Sequence, residues 1–233
     1  MSYNVDIGVI GALDEEVSSL INKLSDRKTL SVGGVEIHIG KIANRLVAVA
    51  RSGVGKVFAA LCAEAMIITT SPRLIVNTGV GGALAGAFKT ADTAIAKRLV
   101  QHDMDTSAIG DPKGLVSGIN KIYFDADSRA VQLLMSGASE LGIKAYPATV
   151  ASGDKFIAAK EDKAAIVDTF CADVCEMEGA AIAQVAYVNK TPFAVIRAIS
   201  DSADEGASMD YLEFLPIAAK NSSALTEYLI KNY

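Results

Sequence analysis

Short apolar segments alternate with helix-forming segments along almost the whole chain, and this alternation limits the fold more than any other feature. The apolar segments of strand length lie at residues 5–10, 29–32, 35–39, 46–50, 74–78, 93–98, 145–151 and 193–199. The helical segments lie at residues 14–24, 57–68, 127–141, 160–170, 179–188 and 211–231. Gly33-Gly34 joins two early strands as a tight hairpin. The pattern therefore predicts an α/β fold, a three-layer α/β/α sandwich with a central mixed, largely parallel β-sheet.

Length, charge and cysteine content narrow the class of protein. The 233 residues contain no linker or internal repeat, which predicts one domain over residues 1–233. A net charge of −5 without a basic run argues against nucleic acid or an anionic membrane as a partner. Residues 1–6 do not resemble the start of a signal peptide, and Cys62, Cys171 and Cys175 match no zinc or redox spacing. We therefore expect buried free thiols, a cytoplasmic location and no bound metal.

Two glycine-rich segments resemble nucleotide-binding motifs without matching them. Gly53-Val54-Gly55-Lys56 is like the end of a P-loop, but residue 50 is alanine and Val57 has no hydroxyl for magnesium. Gly79-Val80-Gly81-Gly82 is like a dinucleotide fingerprint, but Leu84 stands where the third glycine belongs. Two interpretations stay open for these turns: backbone amides that line one pocket, or tight strand-to-helix connections. No cofactor is expected.

Three acidic residues lie next to strand or helix ends at distant points of the chain. Glu16 is in the first turn of a helix, Glu178 begins an alanine-rich helix, and Asp201 follows an apolar strand. For either glutamate alone, the preference of acidic side chains for helix N-termini is a sufficient explanation, and Asp14, the expected N-cap, illustrates it. A parallel sheet nevertheless gathers the carboxyl ends of its strands at one edge, where ligands bind. We therefore predict that Glu16, Glu178 and Asp201 meet in one site.

A pocket that is rich in carboxylates and poor in cations favours a particular chemistry. It disfavours phosphate, because like charges repel strongly in a medium of low dielectric constant. It suits cleavage of a glycosidic bond, in which the sugar becomes cationic in the transition state. One carboxylate takes a proton from water, and a second, kept protonated by burial, assists the leaving group.

Six motifs, which together extend over nearly the whole chain, point to a family. They lie at residues 11–17 (GALDEEV), 52–57 (SGVGKV), 77–82 (NTGVGG), 152–157 (SGDKFI), 176–183 (EMEGAAIA) and 197–201 (RAISD). In this order and spacing they resemble the 5′-methylthioadenosine/S-adenosylhomocysteine nucleosidases of the nucleoside phosphorylase/hydrolase superfamily. The resemblance implies a nucleoside phosphorylase-like fold and hydrolysis of the N-glycosidic bond of these two nucleosides, without metal or cofactor. It also implies a place in methionine salvage and in removal of methyl-cycle by-products.

The resemblance implies a role for each of the acidic residues. Glu16 would activate the attacking water, and Glu178 would bind the ribose hydroxyls. Asp201, oriented by Ser200, would protonate N7 of the departing adenine. These roles agree with the chemistry expected of a carboxylate-rich pocket, and they make the three acids the expected catalytic residues.

Further residues are expected, by the same resemblance, to bind the substrate. Met177 would pack on the sugar, Phe156 would stack near the purine, and the backbone of Ile157 would read the edge of the purine. The remaining expected contacts are Glu176 and Arg197 on the water and ribose side, Val80 and Gly82 in the glycine segment, and Leu13, Val54, Tyr211 and Phe214 around the 5′ substituent.

A homodimer is implied as well, because in relatives a loop of the partner subunit closes the 5′ pocket. The matching loop here is at residues 102–109, with Thr106 and Ile109 as the expected contributors. Val80 replaces a serine of many relatives, and Ile109 replaces an aromatic residue of some, so the preference among 5′ substituents is not determined.

Two alternatives to this hydrolase stay open. One is a phosphorolytic or futalosine-type nucleosidase on the same scaffold, although the acidic turn at residues 14–16 separates the chain from phosphorylases. Arg51 and Lys56 are the obvious candidates to bind phosphate, but they are more easily interpreted as solvated or structural. The other alternative is a non-catalytic nucleoside sensor, which would have no use for a water-activating Glu16.

Overall fold

The computed structural model describes residues 3–84, 86, 88–203 and 207–233, and for residues 207–213 and 216–218 it describes the backbone alone. Its strands are β1 (Ile7–Gly11), β2 (Ser25–Val32), β3 (Val35–Ile42), β4 (Arg45–Arg51), β5 (Leu74–Ala83), β6 (Thr93–Gln101), β7 (Tyr123–Asp125), β8 (Ala145–Ser152), β9 (Val174–Glu176) and β10 (Phe193–Asp201). Its helices are α1 (Asp14–Lys23), α2 (Lys56–Thr70), α3 (Ser128–Leu141), α4 (Lys160–Phe170), α5 (Gly179–Val188) and α6 (Ala207–Asn232), with a short 3-10 helix at Ser107–Ile109.

The strands within the described residues form one mixed sheet. The neighbours β4, β1, β5 and β10 run parallel, and so do β6, β8 and β9. The early strands β2, β3 and β4 form an antiparallel meander, whose first turn is the predicted Gly33-Gly34 hairpin. The sheet also closes on itself, because β5 pairs with β10 and β9 while β6 pairs with β10 and β8. This ring of β5, β10, β6, β8 and β9 was not predicted.

Helices cover both faces of the sheet, each over its own apolar core. On one face, α2 and α5 pack against each other through small side chains such as Ala59 and Ala183. On the other face, α1, α3 and α6 contribute Leu20, Leu134 and Leu229 to a second core. The prediction of a three-layer α/β/α sandwich with a mixed sheet is therefore confirmed. The boundaries of a single domain at residues 1–233 stay a prediction.

The glycine segment at residues 79–82 differs from the expectation of a turn. It lies inside β5, which continues to Ala83 because its last residues pair with β10 and with β9. Gly79, Gly81 and Gly82 are needed there for space, because side chains from α1, β9 and β10 occupy the volume that a Cβ would fill. The prediction that β5 ends at Thr78 was wrong, since apolar periodicity does not register a strand made of glycine.

The start of α1 also differs from the expectation. Leu13 rather than Asp14 stands at the N-cap, and Asp14 is the first helical residue. The reason lies in Glu16, whose Oε2 accepts the backbone N–H groups of Ala12 (2.6 Å) and Leu13 (3.1 Å). A buried carboxylate therefore satisfies donors at the entry to the helix, which leaves Asp14 free to face Arg51 at 3.4 Å.

The cysteines follow the expectation in part. Cys62 and Cys175 are buried free thiols. Cys171 is exposed, so its predicted burial was wrong. It caps the C-terminus of α4 with a φ of 47°, and this left-handed turn directs its side chain away from the core. No described helix combines the length and the apolar character that a membrane span requires.

Candidate active site

The ends of β1, β5, β9 and β10 surround a cavity of about 200 Å³. It contains the three acids that the sequence analysis placed together, Glu16, Glu178 and Asp201. Of the other predicted residues, its wall includes Leu13, Val54, Val80, Gly82, Phe156, Ile157, Glu176, Met177 and Ser200. The wall also includes four residues that were not predicted, namely Ala12, Gly81, Lys155 and Cys175.

Four predicted residues do not line this cavity as described. Arg197 lies behind the wall, where it is 1% exposed. Thr106 and Ile109 lie in the loop after β6, with Ile109 81% exposed and the Thr106 hydroxyl donating to Asp111 Oδ2 at 2.9 Å. Phe214 is half-buried on α6. The side chain of Tyr211 lies outside the described residues.

Glu16 is held by three backbone amides. Its Oε2 accepts from Ala12 and Leu13, and its Oε1 accepts the N–H of Val80 at 3.2 Å. The side chain is buried, and this burial raises the pKa of Glu16 although Arg197 and the three amides oppose the rise. Glu16 is thus a fixed carboxylate with a basicity above that of an exposed glutamate, which is the property that a general base requires.

Glu176 and Arg197 form a buried ion pair at the cavity, in which Glu176 lines the wall and Arg197 lies behind it. Nε and Nη2 of Arg197 both donate to Glu176 Oε2, with Nε at 3.1 Å, and Nη2 also donates to Asn77 Oδ1. Glu176 accepts in addition from the Ser152 hydroxyl and from the amide of Gly179 at 2.7 Å. Burial alone would raise the pKa of Glu176, but Arg197 and these donors hold it below its usual value. Glu176 is therefore a permanent anion that orients Arg197.

This pair corrects one expectation about the charge of the site. From the sequence the pocket was expected to be poor in cations, whereas Arg197 lies among three carboxylates, with Nη2 3.7 Å from Glu178 Oε2. No lysine or arginine lies close to Glu178 in the sequence. Arg197 becomes its neighbour through the pairing of β10 with β5, which the local sequence does not show. The guanidinium is not available to an incoming anion, since Nε and Nη2 donate to Glu176 and Asn77 and Nη1 to the carbonyl of Ile196.

Glu178 stands at the N-cap of α5 and faces the other glycine segment. Its Oε1 accepts the backbone N–H of Gly55 at 2.9 Å. Burial, together with the negative charge of Glu176, raises the pKa of Glu178 to about 7, against the opposing effects of Arg197 and the Gly55 amide. The segment at residues 53–56 therefore presents an amide to the site, and the ligand of this amide is a carboxylate of the protein.

Asp201 is the last residue of β10 and also lines the cavity. The Ser200 hydroxyl donates to its Oδ2 at 2.8 Å, and the amide of Ala203 donates to its Oδ1 at 2.9 Å. A Cβ on Gly82 would stand 2.7 Å from Oδ1, so the glycine gives this carboxylate its space. Lys163 of α4 holds the segment after Asp201 by donating to the carbonyls of Ser202 (2.6 Å) and Ala83 (3.0 Å).

Several of these supporting residues escaped the sequence analysis. Asn77 and Ser152 lie inside quoted motifs, and a polar residue at the end of an otherwise apolar strand was the signal that could have singled them out. Lys163 lies on a helix that carries no motif, so nothing in the sequence indicates its contact with the site.

Comparison with known proteins agrees with this arrangement. A sequence model of the phosphorylase superfamily matches residues 6–231. The 5′-methylthioadenosine/S-adenosylhomocysteine nucleosidase of Neisseria meningitidis, in complex with methylthio-immucillin-A, is 33% identical over 98% of this chain and 99% of that one, with a TM-score of 0.95. The futalosine hydrolase of Helicobacter pylori is 33% identical over 98% of each chain, with a TM-score of 0.94.

A third solved structure extends the likeness to another organism. The S-adenosylhomocysteine nucleosidase of Streptococcus pyogenes, in complex with 5-methylthiotubericidin, is 32% identical over 98% of this chain and 97% of that one, with a TM-score of 0.93. All three structures match the chain over nearly its full length, and all three are nucleosidases or hydrolases of nucleosides. The chain therefore belongs to the phosphorylase superfamily and, within it, to the nucleosidases, which are N-ribosyl hydrolases.

Proposed function

We propose that the enzyme hydrolyses the N-glycosidic bond of 5′-methylthioadenosine and S-adenosylhomocysteine, releasing adenine and the thioribose product. The observation that carries the proposal is the meeting of Glu16, Glu178 and Asp201 around one cavity. Solved nucleosidases of this specificity, at 33% and 32% identity, support the choice of substrate. No metal or cofactor takes part in the proposed reaction.

Glu16 removes a proton from the attacking water in this proposal. Its carboxylate is immobilised by three amides, and burial raises its pKa, which brings its basicity closer to neutral pH. Glu178 accepts hydrogen bonds from the ribose hydroxyls, since it lines the cavity and the amide of Gly55 engages only its Oε1. Met177, its neighbour, packs on the sugar.

Asp201 protonates the leaving adenine at N7 in the proposed mechanism. Ser200 and the amide of Ala203 fix its two oxygens, so the carboxyl group is oriented before substrate arrives. Phe156 and Ile157, which lie on the same wall, bind the purine, with Phe156 45% exposed and able to cover it. A positioned acid lowers the barrier because adenine leaves as a neutral base.

Hydrolysis rather than phosphorolysis is proposed because of the charges around the cavity. Glu16, Glu176, Glu178 and Asp201 all line it, and the donors of Arg197 are directed to protein acceptors. Lys155 also lines the wall, but its Nζ lies 2.7 Å from Asp162 Oδ2. The test is incubation with methylthioadenosine in phosphate-free buffer. Adenine release that depends on added phosphate would contradict the proposal.

The homodimer is part of the same proposal. Leu13 and Val54 line the 5′ end of the pocket, Phe214 and Tyr211 are proposed to join them, and the loop of the partner subunit that carries Thr106 and Ile109 closes it. The high exposure of Ile109 supports an intersubunit role, and α2 leaves an apolar face exposed at Val57, Phe58, Leu61 and Ile68. Sedimentation of the active enzyme tests this, and a fully active monomer would contradict it.

A futalosine-type substrate is the second candidate. It is favoured by the likeness to the Helicobacter pylori futalosine hydrolase, which equals the likeness to the nucleosidases in identity. Parallel assays with methylthioadenosine, S-adenosylhomocysteine and futalosine separate the two, because the higher kcat/KM identifies the substrate. We propose a cytoplasmic role in methionine salvage and in removal of methyl-cycle by-products only for the first candidate function, hydrolysis of 5′-methylthioadenosine and S-adenosylhomocysteine.

A further inference from the structure

Among the described residues, the backbone amide of Gly55 is the hydrogen-bond donor to Oε1 of Glu178, at 2.9 Å. Gly55 has a φ of 99°, a conformation that favours glycine, so the direction of this N–H depends on the shape of the turn at residues 53–56. The charged groups that face Glu178 are Glu176 from β9, Arg197 from β10 and Glu16 from α1. Whatever fixes the turn therefore also fixes the environment of Glu178.

A closed ring of polar contacts fixes the turn from the side away from the cavity. Nζ of Lys56 donates to Asp103 Oδ1 at 2.6 Å, and Oδ2 of Asp103 accepts the amide of Asp154 at 2.9 Å. The carboxylate of Asp154 in turn accepts the amide of Lys56 at 2.7 Å. Gln101 adds a fourth member, because its Oε1 accepts from Lys56 Nζ at 3.1 Å. Both oxygens of Asp103 are thus engaged, each by a different segment of the chain.

The two segments that Asp103 joins both contribute to the cavity wall, one through Val54 and the other through residues 155–157. Lys56 follows Gly55, which contacts Glu178. Asp154 precedes Lys155, Phe156 and Ile157, which line the cavity on the side proposed for the purine. The ion pair within the ring is partly shielded, since the side chains of Lys56 and Asp103 are 18% and 31% exposed, although Asp154 is exposed. An ion pair that is partly shielded and also accepts a backbone amide is screened less by solvent than a fully exposed pair.

We propose that Asp103 and Lys56 are positioning residues for the reaction: they hold the Gly55 amide on Glu178 and fix the distance between the ribose-binding and purine-binding segments. Neither residue touches the cavity with its functional group. Their effect on the substrate passes through Gly55 and Asp154. The proposal rests on the proposed function for its meaning in catalysis, but the contact between the ring and Glu178 can be tested without turnover.

The direct test measures the titration of Glu178 in the ligand-free protein. Protein labelled with carbon-13 at the glutamate side-chain carboxyl gives one NMR signal for each glutamate, and Glu178→Gln assigns the signal of interest. Asp103→Asn leaves one acceptor oxygen for two donors, so either Lys56 Nζ or the amide of Asp154 loses its partner, the turn loosens and the Gly55 donor is withdrawn. The titration midpoint of Glu178 is then expected to move about half a pH unit or more to higher pH. An unchanged midpoint in Asp103→Asn would overturn the proposal.

The matched control is Glu227→Gln on α6. Glu227 also joins two donors, with Lys231 Nζ at 2.9 Å and Lys23 on its other oxygen, but it lies far from the turn. This control should leave the Glu178 midpoint and the activity unchanged, and an equal shift in it would also overturn the proposal. Lys56→Met removes the ammonium group that binds Asp103 and keeps the backbone amide that binds Asp154. This variant takes the place of Asp103→Asn in the titration should Asp103→Asn fail to fold.

Kinetics then separate the proposal from the proposed function. If the function is correct, Asp103→Asn lowers kcat/KM for methylthioadenosine about tenfold to a hundredfold, because small displacements in an active site have effects of this size. The double variant Lys56→Met/Asp103→Asn should lose no more than the larger single loss, since both belong to one unit. Additive losses would overturn the proposal. If the wild-type enzyme releases no adenine, but Asp103→Asn still moves the titration midpoint of Glu178, only the proposed function is overturned.

Discussion

Glu16 Oε1 lies against Gly79, so closely that a Cβ on this glycine would stand 2.6 Å from the oxygen and 2.9 Å from Nη1 of Arg197. The carboxylate has no room to retreat, because its oxygens also accept the amides of Ala12, Leu13 and Val80. A strand residue without a side chain therefore determines where the proposed base can stand. This explains why β5 carries glycine at a position where an apolar residue would otherwise be expected.

Gly79→Ala is predicted to move Glu16 and to lower turnover strongly. The methyl group would force the carboxylate off at least one of its amide donors, and we expect a loss in kcat/KM of about a hundredfold. Steady-state kinetics and a thermal melt measure activity and folding together. Gly86→Ala is the matched control, because a Cβ at Gly86 meets no atom within 4 Å in the part of the chain that the structure describes. Full activity of Gly79→Ala would mean that Glu16 is not the base.

Glu16→Gln is predicted to separate binding from catalysis. Glutamine keeps the size and, with its one oxygen at the Oε2 position, can still accept the amides of Ala12 and Leu13, but it cannot take a proton from water, so turnover should fall about a hundredfold to ten-thousandfold. Affinity for a non-hydrolysable nucleoside analogue, measured by calorimetry, should change little. Glu15→Gln, on the exposed side of the same helical turn, is the control. A wild-type protein that binds the nucleoside without releasing adenine would support the sensor alternative instead.

The pKa of Glu178 predicts the pH dependence of activity. Burial and Glu176 raise this pKa to about 7, so the group is protonated below that pH and loses both its negative charge and part of its capacity to accept from the ribose hydroxyls. We expect kcat/KM to fall as the pH drops below about 7, and Glu178→Gln to remove this limb along with most of the activity. A pH–rate profile of wild type and variant measures this, and an identical limb in both would assign it to another group.

The same shift predicts a stability effect of the opposite sign. Because the pKa of Glu178 is about 7 in the folded protein and 4.5 when unperturbed, the folded state binds the proton more tightly. Its contribution to stability is complete below pH 4.5 and is lost as the pH rises through 7. Glu178→Gln should therefore melt at a higher temperature than wild type at pH 8, by roughly 2–4 °C for each kcal/mol relieved. Equal melting temperatures at pH 8 would contradict this.

The layered fold was predictable because it depends on periodicity, which the sequence displays directly. Helix α4 was predicted with its observed bounds, and the hairpin at Gly33-Gly34 was recognised from its turn chemistry. The strands β7 and β9 were missed, since each has three residues and no visible alternation. The closed ring depends on β9 and on the glycine-rich end of β5, so it could not be inferred from the apolar pattern alone.

The acids of the site were predictable from position, but their environment was not. Strand ends and motifs placed Glu16, Glu178 and Asp201 together. The buried charge of Arg197 among them depends on the register of β10 against β5, which pairs Arg197 with Gly79. Long-range contacts of this kind leave no trace in local spacing. For the same reason the ring of hydrogen bonds through Asp103 could not be predicted from the sequence.

Asp201→Asn is predicted to abolish acid catalysis while keeping the architecture of the site. Asparagine can still accept the amide of Ala203 through its one oxygen, and its NH₂ group can donate to the hydroxyl oxygen of Ser200, so the segment after β10 should keep its position. It cannot deliver a proton to adenine, and a loss in kcat of about a hundredfold to ten-thousandfold follows. Ser200→Ala, which removes the 2.8 Å contact that orients Oδ2 but keeps the acid, should lose less. Single-turnover release of adenine measures both variants.

A rescue experiment separates the role of Asp201 from that of Glu16. Since a better leaving group needs no acid, a nucleoside analogue with an activated base should restore the activity of Asp201→Asn but not that of Glu16→Gln. Equal rescue of the two variants would contradict the division of roles between them.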